Sequence, residues 1–277
     1  MMTLPPKIPQ GELDALLAKR SPAVAEVVRR KLADIRPSVR ITSQRTSAGA
    51  LKLGFMDRLF KKPAGVPVLP ATASKYGGRP YCENAGEIEG GQFLGQVNFA
   101  EVTAALQAQA FPIPEGLPAQ GLLAIDMLPE AWKGRARWYP NPTEAAAQET
   151  AAPTFARYEA ALSFLGDWSV RGLEWFDDLP KDDGELWDGL NELQVPGTDD
   201  DAHTLFGHAH EILNENYGFV PAPGRSDNIR EYALVWRIAF DNAADFAWGT
   251  NWIYLIIHRE DLAVGDFGRT VLTAANA

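Results

Sequence analysis

Three groups of residues carry side chains with the potential for chemistry. His203, His208 and His210, with Glu211, form the only dense group of metal-capable side chains in the 277 residues. In a helix His203 and His210 share a face, and in a strand His208 and His210 do. No single regular structure presents all three, and the spacing fits no zinc pattern with known mechanics. A second group is Gly77-Gly78-Arg79 with Lys75, which has the makings of a phosphate cradle. It lacks the strand–GxxxxGK–helix setting that a cradle needs, and a tight turn at positive φ followed by Pro80 accounts for the same residues. The third is Cys82, the only cysteine. Arg79 alone stands near enough in sequence to lower its pKa, so a small buried hydrophobe is the expected role and no disulfide can form within the chain. These residues lead us to expect no catalytic residue, no metal and no cofactor.

Charge is more informative. Residues 174–201 contain 11 acidic side chains against Lys181, while the whole chain has a formal charge of −10. Residues 19–62 carry the opposite bias, with 12 Lys or Arg against Glu26, Asp34 and Asp57. Segregated charge of this kind speaks to partners more than to fold. Trp175 and Trp187 sit inside the acidic block. Aromatics among carboxylates suit a protein-binding surface, an anchor within a charged rim. The alternative is an amphipathic helix burying Leu173, Phe176, Leu179, Leu186, Leu190 and Leu193 and leaving its acids in water. Trp168, Trp236, Trp248 and Trp252 complete the tryptophans considered, and Trp236 and Trp252 belong to expected strands and hence to the core.

The elements that must position these residues follow from periodicity. Residues 11–35 read as helical, with Ser21-Pro22 as an N-cap and first helical residue and Pro37 as the stop. Residues 93–99 alternate as a strand, 100–110 are helical, and 122–128 form a second strand. Residues 133–153 are rich in Pro, Ala, Thr and Glu and read as a linker. Residues 234–240 match 93–99, apolar on apolar at alternate positions, and 252–258 supply a second strand there. The pattern predicts a degenerate duplication of a strand-pair unit.

The phrase Ser74-Lys75-Tyr76-Gly77-Gly78-Arg79-Pro80-Tyr81, followed by a strand containing Gln96, resembles the S-K-x-G-G-x-P-Y loop of the YwqG-like proteins. His203-Thr204-Leu205-Phe206-Gly207-His208 is similar to that family's H-x-L-x-G loop. Trp248-Gly249 with Asp261-Leu262-Ala263 is similar to its W-G … D-L-A ending. The chain departs from the pattern in lacking a Trp-Pro pair between residues 83 and 91 and in carrying Thr250 where the family has Asp. The resemblance spans about residues 74–270. It implies an α+β domain with strands from both halves and a genomic setting beside secreted bacterial toxins.

The expected fold is α+β, a mostly antiparallel sheet of two related strand-pair halves with N-terminal helices and a helical acidic segment between the halves. The expected division is a basic helical region at 1–65 and an α+β domain at 66–277. Within that domain the halves span 66–132 and 202–277, joined by the linker 133–153 and an acidic helical segment at 154–201. The expected function is a non-catalytic, cytoplasmic immunity protein that binds a cognate toxin with a basic surface, such as a nuclease. The expected contact residues are Trp175, Asp177, Asp178, Asp182, Asp183, Glu185, Trp187, Asp188, Asp199, Asp200 and Asp201. Overall acidity argues against nucleic acid as a partner. No apolar run reaches the roughly 20 residues of a membrane helix, and residues 1–20 lack the apolar core of a secretory leader. The rival expectation is a small-molecule-binding or hydrolytic enzyme using the loops 74–81 and 203–210.

Overall fold

Helix α1 (Gln10–Leu17) buries Leu13 and Leu17, and helix α2 (Pro22–Leu32) buries Ala25, Val28 and Leu32. Ser21 caps α2, its hydroxyl accepting the Val24 N–H at 3.3 Å with Pro22 in the first turn, as the sequence indicated. A computed structural model describes residues 8–46, 68–128, 134–149, 153–169, 183–193, 203–208, 219–247 and 251–276.

The remaining elements, in chain order, are β1 (Arg36–Arg45), β2 (Lys75–Tyr76), β3 (Gln92–Asn98), α3 (Phe99–Ala108), β4 (Leu122–Met127), β5 (Gly134–Tyr139), β6 (Ala160–Ser169), α4 (Gly184–Glu192), β7 (His203–Leu205), β8 (Tyr232–Ile238), β9 (Asn251–His258), α5 (Arg259–Ala263) and β10 (Val271–Asn276). The ten strands form one sheet in the order β10-β9-β8-β7-β1-β6-β2-β3-β4-β5, and every adjacent pair is antiparallel. The sheet curls until its edges nearly meet. A Cβ added to Gly134 in β5 would strike Leu272 in β10, and Trp138 of β5 lies 4.9 Å from Phe267 just ahead of β10. The inward side chains fill this near-barrel, with Val39, Ile41, Tyr76, Val97, Trp236 and Leu255 in one cluster closed by Phe99, Val102 and Leu106 of α3.

Register fixes which face each residue occupies. Lys75 pairs with Gln96 and Ala161, and Tyr76 with Gly95 and Ala160. Successive strand residues face opposite sides, so Tyr76 points into the interior cluster and Lys75 to the outer face. The ladder is interrupted by a bulge between Phe93 and Gly95 in β3 and by another between Leu234 and Trp236 in β8.

Three expected boundaries need correction. Residues 1–65 are not a helical region apart from the sheet, because β1 lies at its centre, paired along its length with β6 and also with β7. Val39 and Ile41 alternate with polar Ser38, Arg40 and Thr42, too little apolar content to stand out in a basic stretch. The linker 133–153 contains β5, whose arginines face a buried carboxylate on β4. The segment 154–201 begins with β6, a strand next to the middle of the sheet, and becomes helical, among the described residues, only at α4.

Candidate functional site

The loop 68–83 draws together several buried polar groups, Ser74 and Lys75 of its own and Gln96 and Glu159 from other segments. Residues 68–74 have little regular structure, so their backbone groups need partners from elsewhere. Glu159 supplies Oε2 to the N–H groups of Val68 (2.7 Å) and Leu69 (3.1 Å). Glu144 accepts from Ala71 N (3.1 Å), Thr72 N (2.6 Å) and the Thr72 hydroxyl. Glu101, on α3, accepts from Ser74 N at 3.0 Å. The carbonyls are served by Lys75 Nζ to Pro70 (2.6 Å), Gln96 Nε2 to Ala71 (2.5 Å) and Ala73 (2.8 Å), and Asn98 Nδ2 to Thr72 (3.0 Å). Gln96 also accepts the Tyr81 N–H through Oε1 at 2.9 Å. Lys75 is fully buried. Burial pushes its amine down to about 8, against the pull of Glu159, Glu144 and Glu101.

The far end of the loop is held by a second buried network. Asp126 takes both arms of Arg137, at 2.7 and 2.9 Å, and Arg135 at 3.1 Å. Arg137 also donates to the Tyr81 carbonyl at 2.8 Å and to the Tyr139 hydroxyl at 2.6 Å. A bidentate guanidinium–carboxylate pair with its remaining donors used is the arrangement in which burial is least costly. Gly77 and Gly78 make the expected turn, at φ 59° and 71°. A Cβ on Gly77 would stand 2.5 Å from the Tyr158 carbonyl oxygen, so both conformation and space require glycine.

The histidines go to different places. His203 is inside the sheet, where Nδ1 accepts the Ala239 N–H (3.2 Å) and the Tyr76 hydroxyl (3.0 Å). That leaves Nε2–H to donate to Asp241 at 3.1 Å. Burial raises Asp241, but hydrogen bonds from His203, Ser43 and the Ala244 N–H outweigh it and hold the carboxyl below the usual range. His208 donates Nε2–H to the Asp34 carbonyl at 2.6 Å. His210 and Glu211 lie outside the described residues. Lys75 and His203 therefore serve opposite faces of the sheet, and the two loops do not combine them into one site. Among the described residues no group of three metal-capable side chains converges. Cys82 is buried, which raises its thiol above the ordinary value.

The acidic surface is described only in part. Trp175, Asp177, Asp178, Asp182, Asp199, Asp200 and Asp201 lie outside the described residues. Asp183 precedes α4 and caps it, accepting the Leu186 N–H at 3.0 Å, while its other oxygen meets Arg20 Nε at 2.6 Å. Leu186, Leu190 and Leu193 join Leu13, Leu17, Val28 and Leu32 in a second apolar cluster, with Trp187 half-buried against it. Glu185, Asp188 and Glu192 stay exposed on the solvent side. Helix α1, with Glu12 and Asp14 and no basic residue, and helix α2, with Arg29, Arg30 and Lys31 in its last turn, thus pack beside the acidic helix. Trp168 packs on Phe111 at 5.1 Å, Trp236 on β8 is a core residue, and Trp252 on β9 is only partly buried, against a smaller cluster with Tyr232 and Tyr254. Sequence reasoning missed Glu144, Glu159 and Asp126 entirely; they are isolated carboxylates whose partners are remote in the chain.

Residues 74–275 match the family model described as a domain of unknown function, DUF1963, and the chain belongs to that family. The match begins at Ser74 and includes residues 74–83 of the polar loop and the Tyr76–His203–Asp241 set. No curated protein matches the chain.

Proposed function

We propose that this protein is a non-catalytic binding module of the YwqG-like kind, an immunity protein that neutralises a cognate bacterial toxin in the cytoplasm. The observation that carries the reading is the solvent face of α4, where Glu185, Asp188 and Glu192 are exposed on a helix anchored by Leu186, Leu190 and Leu193. A rigid acidic face steers a basic partner and docks without an ordering penalty. The ionisable groups of the family loops are spent on internal bonds, Lys75 on Pro70, Glu159 on Val68 and Leu69, His203 on Asp241, whereas Glu185 keeps most of its surface in water beside a 3.4 Å contact with Arg20. Part of Trp187 is likewise spent on the helix cluster, so its share of the anchor is its exposed edge. Co-expression with the product of a neighbouring toxin gene tests the reading. Growth is restored by the intact protein and not by a Glu185→Lys/Asp188→Lys variant; equal rescue by both contradicts it.

The same reading includes a sheet built from two related halves. Strands β6-β2-β3-β4-β5 and β1-β7-β8-β9-β10 lie in corresponding spatial order, with β1 completing the second half from the N-terminal side. The bulges of β3 and β8 fall at aligned residues. Two bonds also correspond: Asn98 N–H to Ser74 Oγ (2.8 Å) matches Ala239 N–H to His203 Nδ1 (3.2 Å), one residue ahead of β2 and at the first residue of β7.

A further inference from the structure

We propose that residues 68–74 form a strap over the outer face of the sheet, and that its closure is coupled to release of a proton from Lys75.

The geometry has two parts. The strap is fastened through its backbone by side chains of other segments: Glu159 at Val68 and Leu69, Glu144 at Ala71 and Thr72, Glu101 at Ser74, Gln96 at Ala71 and Ala73, and Asn98 at Thr72. Val68 and Pro70 remain exposed on its outer side. Beneath it lies Lys75, completely buried, with Nζ on the Pro70 carbonyl. Lifting the strap removes that carbonyl and admits water to the amine.

The charged groups facing Lys75 are Glu159, Glu144 and Glu101, which favour the ammonium, and Arg79, which opposes it. Burial outweighs the carboxylates and brings the amine from 10.5 to about 8. The closed state therefore prefers the neutral amine, which still donates to Pro70, and the open state prefers the ammonium. Above pH 10.5 Lys75 is neutral in both states, and below about 8 it is charged in both. Between these limits opening takes up a proton, so the strap tightens as pH rises and loosens as pH falls. The full effect is about 300-fold in the opening equilibrium.

Hydrogen exchange on the intact protein tests the coupling. Protection of the amides of residues 68, 69 and 71–74, corrected for intrinsic exchange and compared with β3 amides, should rise about 80-fold between pH 8 and 10.5, and Lys75→Met should abolish the rise. No rise, or a rise that persists in Lys75→Met, overturns the proposal. Should that variant fail to fold, the Lys75 amine is titrated by NMR in the native protein. A midpoint near 8 supports the coupling, and a midpoint at 10 or above overturns it.

Discussion

Gly77 and Phe206 occupy matching positions in the sheet. Each follows a short strand, each has positive φ (59° and 57°), and each donates its N–H to the bulged residue of the next strand, Leu94 at 2.8 Å and Val235 at 3.2 Å. A non-glycine residue at such a φ costs roughly 1 kcal/mol. Phe206 offsets that cost by being buried against Phe99 in the interior cluster.

Exchanging the residue types should destabilise at both positions, for different reasons. Gly77→Ala meets both an unfavourable φ and the Tyr158 carbonyl, and should cost about 2 kcal/mol or more. Phe206→Gly relieves the backbone but removes a buried ring, a loss of about 3–5 kcal/mol. Urea denaturation measures both. A stabilised Phe206→Gly would mean that backbone strain outweighs packing there.

Acid should act through Asp241. Its folded pKa lies below the ordinary carboxylate value, so its contribution is fully present above the normal carboxylate range and is lost as pH falls through the folded value. Comparing urea midpoints at pH 6 and pH 3 should show a smaller drop for Asp241→Asn than for the native protein. At pH 6 that variant should already be weaker by about 2 kcal/mol. An unchanged drop would place the acid sensitivity elsewhere, with Asp261, held low by Arg225, the next residue to substitute.

Asp183 has two separable tasks. Asp183→Asn keeps a capping oxygen for Leu186 and loses the ion pair to Arg20. Asp183→Ala loses both and should be worse by about 1 kcal/mol. Thermal unfolding distinguishes them. Equal effects would mean that the cap contributes nothing to the three-helix cluster.

The solvent face of α4 should be structurally indifferent. Asp188→Lys and Glu192→Lys should change stability by no more than about 0.5 kcal/mol, because neither side chain enters the cluster that holds the helix. A larger loss would identify those acids as part of the fold rather than a surface for a partner.

Legibility in the sequence followed the range of the interactions. Ser21-Pro22, the alternation of β3, β4, β8 and β9 and the turn at Gly77-Gly78 depend on neighbours in the chain, and they were readable. Strand β5 was not, because Arg135 and Arg137 break the apolar pattern and are explained only by Asp126 on the adjoining strand. Strand β1 was missed because its inward residues, Val39 and Ile41, are few and its partners lie more than 100 residues away. The polar fastening of residues 68–74 joins Gln96, Asn98, Glu101, Glu144 and Glu159, which share no local motif. The apolar side of α4 is one of the two alternatives the sequence offers, but its packing against α1 and α2 is not legible, since α1 carries no basic residue that would mark it as a partner for an acidic helix.

On the proposed function, the acidic face of α4 docks a protein. Its test is co-purification with a candidate toxin, repeated across a salt series with the native protein and a Glu185→Lys/Asp188→Lys variant. A complex of fixed stoichiometry that weakens with salt and is lost in the variant is expected. No complex at low salt, or one indifferent to both salt and charge reversal, would contradict it.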